Sequence, residues 1–253
     1  INRVSAVHCT ADTERDSFAR LGLRPPAFVV PNAIDMARFG KLPPRGGLRS
    51  RLGIPESAVQ LLFLGRLTGI KRPDIAIETM GALRASGHEA HLVMAGPDEG
   101  NLTAKLRAQA HGLGCAAQVH FTGLLAGDEV LQALADTDLL IMPSEVQENF
   151  GMSALEAMAA GVPVLAAEGV PAGSWASAAG AGIVVPCSNQ GFRTAALEAL
   201  SHPERLRAMG RAGKDLARRR FDRDVVALEM LAQCEAVIAT GRPLPGYLGQ
   251  RSK

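Results

Sequence analysis

Aromatic residues are scarce in this chain: its 253 residues include eight phenylalanines, one tryptophan (Trp175) and one tyrosine (Tyr247). So few rings supply neither a stacking platform for single-stranded nucleic acid nor the exposed Trp and Tyr faces of a lectin-like module. An excess of charge is missing as well. The 27 basic and 25 acidic side chains leave a formal +2, which makes no strong polyanion field and argues against nucleic acid as a partner. Cys9, Cys115, Cys187 and Cys234 lie far apart, with no C-x-x-C pair and no Cys/His cluster. Neither a zinc site nor a disulfide framework is encoded, and a reducing cytosol fits best. No apolar run approaches the ~20 residues needed to span a bilayer, and no signal peptide is evident, so membrane contact is expected to be peripheral. The chain begins at Ile1, in sequence that reads as mid-domain, and it is expected to be a piece of a longer protein.

With 47% apolar and 21% charged residues, the chain has the composition of one large α/β domain or two small ones. From Leu61 onward, short β-rich runs alternate with amphipathic segments at the spacing of βα units in a parallel sheet. Strands are expected at Leu61–Gly65, His91–Gly96, Val119–Thr122, Leu139–Pro143, Val162–Ala166 and Ile183–Pro186. Helices are expected at Pro73–Ser86, Leu102–Leu113, Asp128–Thr137, Ser153–Ala160 and Phe192–Ser201. This pattern predicts a doubly wound α/β fold, whose ligands bind outside the carboxyl ends of the strands. Ahead of it, Val4–Cys9, Thr10–Leu21 and Phe28–Val30 read as strand, helix and strand, and Lys41–Leu52, rich in Pro, Gly and Arg, reads as a connector. A single βα unit cannot bury its own apolar face, so this opening resembles the end of a preceding domain. Two long helical patterns, Glu204–Arg220 and Asp222–Thr240, precede a Gly- and Pro-rich tail, Gly241–Lys253. The Arg-rich stretch Arg205–Arg223 reads as a solvated face, and Trp175 reads as packing.

Two constellations can carry chemistry. In Gly65-Arg66-Leu67-Thr68-Gly69-Ile70-Lys71, two cations flank a flexible turn at a strand end, either as a pyrophosphate clamp or as an ordinary solvated loop. In Pro143–Val164, a strand ends, a polar loop carries Glu148, and a helix starts near Gly151–Ser153, where free amides and the helix dipole attract an anion. Glu156, one turn in, can accept hydrogen bonds from a vicinal diol such as a ribose. Ser153-Ala154-Leu155-Glu156 also matches a capping box, which would tie Glu156 to its own helix, while Glu148 can be a solvated loop carboxylate.

Glu148 and Glu156, with seven residues between them and followed by Ala157-Met158-Ala159-Ala160-Gly161-Val162-Pro163-Val164, resemble the E-x7-E signature of retaining glycosyltransferase family 4, which has the GT-B fold. In matching order, Pro31–Asp35 resembles that family's P-N-G-[IV]-D hinge, Phe63–Lys71 its F-x-G-R-x-x-x-x-K phosphate loop, and Val119–Gly123 its V-x-F-x-G strand. The resemblance implies that Arg66, Lys71 and the amides of Phe150, Gly151 and Met152 hold the diphosphate of a UDP-, GDP- or other nucleotide sugar. By the same resemblance Glu156 binds the ribose, Glu148 is the catalytic-side carboxylate contacting the donor sugar, and His120, Gly123 and Leu125 border the base. No metal or other cofactor is implied, because Arg, Lys and a helix end neutralise the leaving diphosphate.

The family pattern divides the chain into residues 1–35, a remnant of an acceptor domain with the hinge; 36–221, the donor-binding domain; and 222–253, a crossing helix and tail. An acceptor glycan or glycolipid would bind through the missing amino-terminal domain, so this chain is expected to bind donor but transfer little. Bacterial polysaccharide or lipopolysaccharide synthesis, in the cytoplasm or at the inner face of the membrane, is the setting implied. Ala33 stands where the hinge usually has Gly. A nicotinamide-dependent oxidoreductase would share the architecture but needs G-x-G-x-x-G, whereas the chain offers only Ala95-Gly96-Pro97-Asp98-Glu99-Gly100. A non-catalytic nucleotide-sugar-binding or scaffolding domain is the third reading.

Overall fold

The computed structural model describes residues 3–145 and 148–245. The expectations that touch Ile1, Val146, Gln147 and the tail beyond Pro245, Tyr247 included, lie outside the described residues.

Six parallel strands form the main sheet: β3 (Val59–Leu64), β4 (Ala90–Ala95), β5 (Val119–Gly123), β6 (Leu139–Met142), β7 (Val164–Ala167) and β8 (Gly182–Val185). Before them, β1 (Val7–Cys9) and β2 (Ala27–Val29) pair in parallel as a separate two-stranded sheet around α1 (Asp12–Arg20). The six strands lie in the order β5-β4-β3-β6-β7-β8. The chain thus winds outward from β3 in one direction and from β6 in the other, and the reversal falls between them. Leu61 and Leu62 of β3, Leu92–Ala95 of β4 and Leu139 and Leu140 of β6 are wholly buried, as strands covered on both faces require. The connecting helices are α3 (Pro73–Ala85), α4 (Thr103–Gly112), α5 (Asp128–Asp136), α6 (Met152–Ala160) and, after β7, α7 (Pro171–Ala178). The chain closes with α8 (Asn189–Leu200), α9 (Pro203–Leu216), a π-helical turn at Ala217–Phe221 and α10 (Arg223–Thr240).

Two helices depart from the reading of the sequence. One is a short helix, α2 (Gly47–Leu52), inside the stretch taken as a connector. Its cap comes from far away: the buried carboxylate of Asp136 accepts the amides of Gly46 (2.5 Å), Leu48 (2.7 Å) and Arg49 (3.1 Å). Arg49, 1% exposed, returns the contact by donating to the Asp136 carbonyl (2.9 Å) and to Asp138 (2.8 Å). The other is α7, where no helix is expected from the sequence and whose Gly and Ser content is unfavourable to one. Its Gly173 sits so close to β7 that an added Cβ would lie 2.6 Å from the Ala166 Cβ, so the residue that hides the helix is the one that lets it pack.

The β1–β2 sheet finds its cover in α10. Val226 and Met230 pack against Phe28 and Val30, whereas Val225, Leu228, Leu231 and Ile238, expected on the same apolar side, are exposed. The Pro31–Asp35 turn is tied to the start of α10: Ile34 N donates to Phe221 O (2.7 Å), Arg223 N to Ile34 O (2.9 Å), and Arg223 pairs with Asp35 (2.8 Å). Among the described residues the non-glycine residues with positive φ are Arg72 and Asn101, so Ala33 does not take a backbone conformation that calls for glycine.

Replacing Asp136 by Ala would strip three amides at a buried helix start of their acceptor. A loss of about 3 kcal/mol or more of unfolding free energy is expected, read as a fall in the urea midpoint, against about 1 kcal/mol for an ordinary substitution. An unchanged midpoint would show that the cap carries no weight.

Candidate functional site

Because winding reverses between β3 and β6, the loops leaving their carboxyl ends diverge and open a crevice, the place where doubly wound sheets hold ligands. Its walls are stitched by backbone bonds: Gly65 N to Ala95 O and Gly96 N to Gly123 O, both 2.8 Å, and Glu145 N to Ile70 O, 2.9 Å. The backbones at Gly65 and Gly96 approach so closely that a Cβ on Gly96 would fall 1.9 Å from the Gly65 carbonyl oxygen. Only glycine fits there, and the floor of the crevice is bare backbone. The resulting cleft of about 430 Å³ is lined by Arg66, Lys71, Leu125, Glu148, Phe150, Gly151, Met152 and Glu156.

One wall is the start of α6. Gly151 caps it at φ +96, with Val170 and Met142 side chains 2.9 and 3.1 Å from where a Cβ would stand. Any other residue would be both strained and crowded. The amides of Met152 and Ser153 have no acceptor among the described residues, so they face the cleft with the positive end of the helix dipole. Phe150, in an otherwise polar loop, is 2% exposed, and its carbonyl accepts the Ala172 amide (2.8 Å).

The capping box does not form. The helix starts at Met152 with Gly151 as its cap, so Ser153 already lies inside it, and its hydroxyl contacts the Met142 sulfur at 3.6 Å. Glu156 is left with no hydrogen bond or ion pair among the described residues, on the cleft wall. Burial pushes its carboxyl above the usual carboxylate range, partly offset by the Arg38 charge. An acceptor that is desolvated and unpaired favours arrival of a hydrogen-bond donor such as a hydroxyl.

The two cations are held differently. Lys71 and Glu148 form a largely buried ion pair with each other, while Arg66 is exposed and pairs with Glu99 at 2.9 Å. Arg72, not singled out in the sequence, takes the left-handed conformation (φ +48), chelates Asp74 (2.8 Å) and lies 3.6 Å from Glu145. It joins the two loops at the lip of the crevice. Asn32, Leu124, Asn149 and Ser153 also line the cleft. Among the described residues no cluster of three or more His, Cys, Asp or Glu is placed to hold a metal ion.

His120 does not reach the cleft. It is the second residue of β5, toward the strand's start, and its ring stacks on His91 of β4 with Nδ1 of His91 and Nε2 of His120 2.9 Å apart. Gly123 contributes its carbonyl to the wall rather than lining the cleft, and at this edge Leu125 does so with Leu124. A separate recess of about 500 Å³, at the opposite end of the strands, is lined by Arg45, Asp138, Pro163 and Arg207 among others.

A doubly wound parallel sheet with an open, anion-receptive crevice at its switch point makes this a Rossmann-like domain of the GT-B type. Residues 45–216 match the model of the family described as glycosyl transferases group 1, and the chain belongs to that family. It is 30% identical over 221 residues to the D-inositol 3-phosphate glycosyltransferase of Segniliparus rotundus, covering 86% of this chain and 48% of that protein. It is 37% identical over 177 residues to the protein of that name in Gordonia bronchialis, covering 66% of this chain and 38% of the relative. The chain thus spans about half the length, or less, of the curated relatives it matches. Among solved structures it is similar to WaaG, a glycosyltransferase involved in lipopolysaccharide biosynthesis (27% identity, TM-score 0.76, 92% of this chain and 62% of that one). It also shares the fold of Anabaena HepE in complex with UDP-glucose (22% identity, TM-score 0.80, 93% and 65%).

If Glu156 serves the cleft rather than its helix, Glu156→Gln will stabilise the ligand-free chain, since it removes an unpaired, desolvated charge. A rise of about 2–4 °C in Tm is expected, the shift that ~1 kcal/mol gives a chain of this size; a fall would restore the capping reading. Burial lowers both imidazoles of the stacked pair, each ring's titration further set by its neighbours: Glu89 acts upward and Arg49 downward on His91, and His91 acts downward on His120. As pH falls, the unfolded chain takes up these protons first. Stability from the pair is therefore complete above about 6.5 and lost as pH drops through the lower folded values. His120→Phe should flatten that part of the urea midpoint–pH curve, and an unaltered slope would clear the pair of any part in it.

Proposed function

We propose that this chain is the donor-binding half of a retaining, family 4 glycosyltransferase that moves a sugar from a nucleoside-diphosphate sugar to an acceptor hydroxyl. The observation that carries this is the convergence, in one cleft, of unpaired α6 amides, two cations and the unpaired carboxylate of Glu156. The diphosphate lies against the Gly151–Ser153 amides, with Arg66 and Lys71 adding charge. Glu156 accepts the ribose hydroxyls two-handed, and Leu124 and Leu125 flank the base. Lys71 and Glu148 are ion-paired with each other. On binding, Lys71 turns to the diphosphate and Glu148 to the sugar, so neither charge is left buried alone.

In the reaction, the bond from the anomeric carbon to the diphosphate oxygen breaks as the acceptor oxygen bonds to the same face. The proton of the acceptor hydroxyl passes to the leaving diphosphate. Charge building on that diphosphate is stabilised by Arg66, Lys71 and the helix end, groups fixed before the reaction starts. The neighbour involved in lipopolysaccharide biosynthesis supports a glycan or glycolipid acceptor, while the relatives named D-inositol 3-phosphate glycosyltransferase speak for a small polyol phosphate instead. We place the acceptor site on a preceding domain, and the reaction on the cytoplasmic side of the membrane. No helix among the described residues is long and apolar enough to cross a bilayer.

Calorimetric titration with UDP, GDP, ADP and NAD tests the reading. One nucleoside diphosphate should bind, and Lys71→Ala and Glu156→Gln should each weaken it about tenfold or more, the loss of one charge-assisted hydrogen bond. Little sugar transfer by this chain alone is expected. Tight NAD binding, or no nucleoside diphosphate binding at all, would sink the assignment.

A further inference from the structure

The α6 end of the cleft is braced from behind by a chain of buried groups that leads away from the site to α10. The Phe150 ring meets the edge of Phe221 (centroids 6.0 Å apart, 80°), and Phe221, fully buried, meets Trp175 of α7 (5.3 Å, 68°). The guanidinium of Arg220 lies over the Trp175 ring at 5.2 Å and is ion-paired with Glu229 of α10; the two are 9% and 4% exposed. Arg220 is the exception to the solvated arginine face expected of residues 205–223. The π-helical turn explains it, since the extra residue in that turn brings Arg220 and Phe221 inward together. Such turns cluster at functional positions.

A buried ion pair adds little to stability compared with apolar side chains of the same bulk, because desolvating both charges offsets their attraction. Its worth lies in fixing geometry. Here the Arg220 fork is held by Glu229 and covers the Trp175 face, Trp175 backs the ring of Phe221, Phe221 in turn packs on the Phe150 ring, and the Phe150 carbonyl is tied to Ala172. The next residue is Gly151, the cap that aims the free α6 amides. Glu229 lies three residues beyond Val226, which packs on Phe28 and Val30 of the small sheet.

We propose that Arg220, Glu229 and Trp175 are positioning residues for the diphosphate end of the cleft, and that they link its geometry to α10 and the β1–β2 sheet it covers. The proposal rests on the donor-site reading above. None of the three lines the cleft, so their effect passes through Phe221 and Phe150.

The test compares the 253-residue chain with its Arg220→Met, Glu229→Leu double variant, which keeps bulk and removes both charges together. Hydrogen exchange of segment 148–156 and titration with UDP, GDP and ADP are both measured, with circular dichroism to confirm folding. In a folded variant, exchange in that segment should quicken and nucleoside diphosphate affinity fall, each by about tenfold or more, as small misplacements of binding groups produce. Trp175→Leu, which leaves the ion pair in place, should do the same, and Trp175→Phe, which restores an aromatic face, should not. This second pair decides the matter if the double variant does not fold. Wild-type binding with exchange and affinity unchanged in folded variants would overturn the positioning role alone. Failure of the wild type to bind any of the three nucleotides would overturn the donor reading and the proposal with it.

Discussion

The reversal of winding between β3 and β6 is the constraint on which everything else in this chain depends. Two strands paired through Leu61–Leu139 and Leu62–Leu140 send their following loops apart, and the gap can be filled neither by helix nor by sheet. What fills it instead is backbone and charge. Gly96 lies against the Gly65 carbonyl, Glu145 is bonded back to Ile70, and the α6 amides point inward with no acceptor among the described residues. The cleft follows from the topology, and the residues on its rim decide what it attracts.

Those residues form an electrostatic arrangement that the described residues do not complete by themselves. Lys71 and Glu148 satisfy one another, Arg66 leans on Glu99, and the α6 end and Glu156 remain unsatisfied. A ligand with a diphosphate at one end and hydroxyls beside it completes both at once. This is the physical content of the donor-site proposal, and it agrees with membership of the glycosyl transferases group 1 family. Overall charge was a poor guide, because a near-neutral chain can still present a helix end and two cations at one point.

Much of the fold was legible because a parallel sheet writes itself as apolar runs of fixed length. Every strand of the main sheet overlaps its expected position, and Gly161 ends its helix where the periodicity stops. The helix Gly47–Leu52 was hidden because its cap, Asp136, is nearly ninety positions away, and α7 because the glycine that lets it pack is a poor helix former. In the site, spacing brought out Arg66, Lys71, Glu148 and Glu156, and the structure brings all four to one cleft. It could not choose between a capping box and a free carboxylate for Glu156, since both fit the same letters; that turned on the helix start, where Gly151 is the cap, two residues before Ser153. His120 is the second residue of β5, and that place sets its ring beside His91, away from the carboxyl end of the strand. Arg220 looked like its exposed neighbours until the π-helical turn placed it beneath Trp175.

The central claim is that a diphosphate is held at the amino end of α6, and backbone amide shifts on titrating the isotope-labelled chain with a nucleoside diphosphate test it most directly. The largest changes are expected at Gly151, Met152 and Ser153, with smaller ones at Arg66, Lys71 and Glu156. Changes confined to the Arg45–Arg207 recess at the far end of the strands, with the α6 amides unmoved, would contradict it.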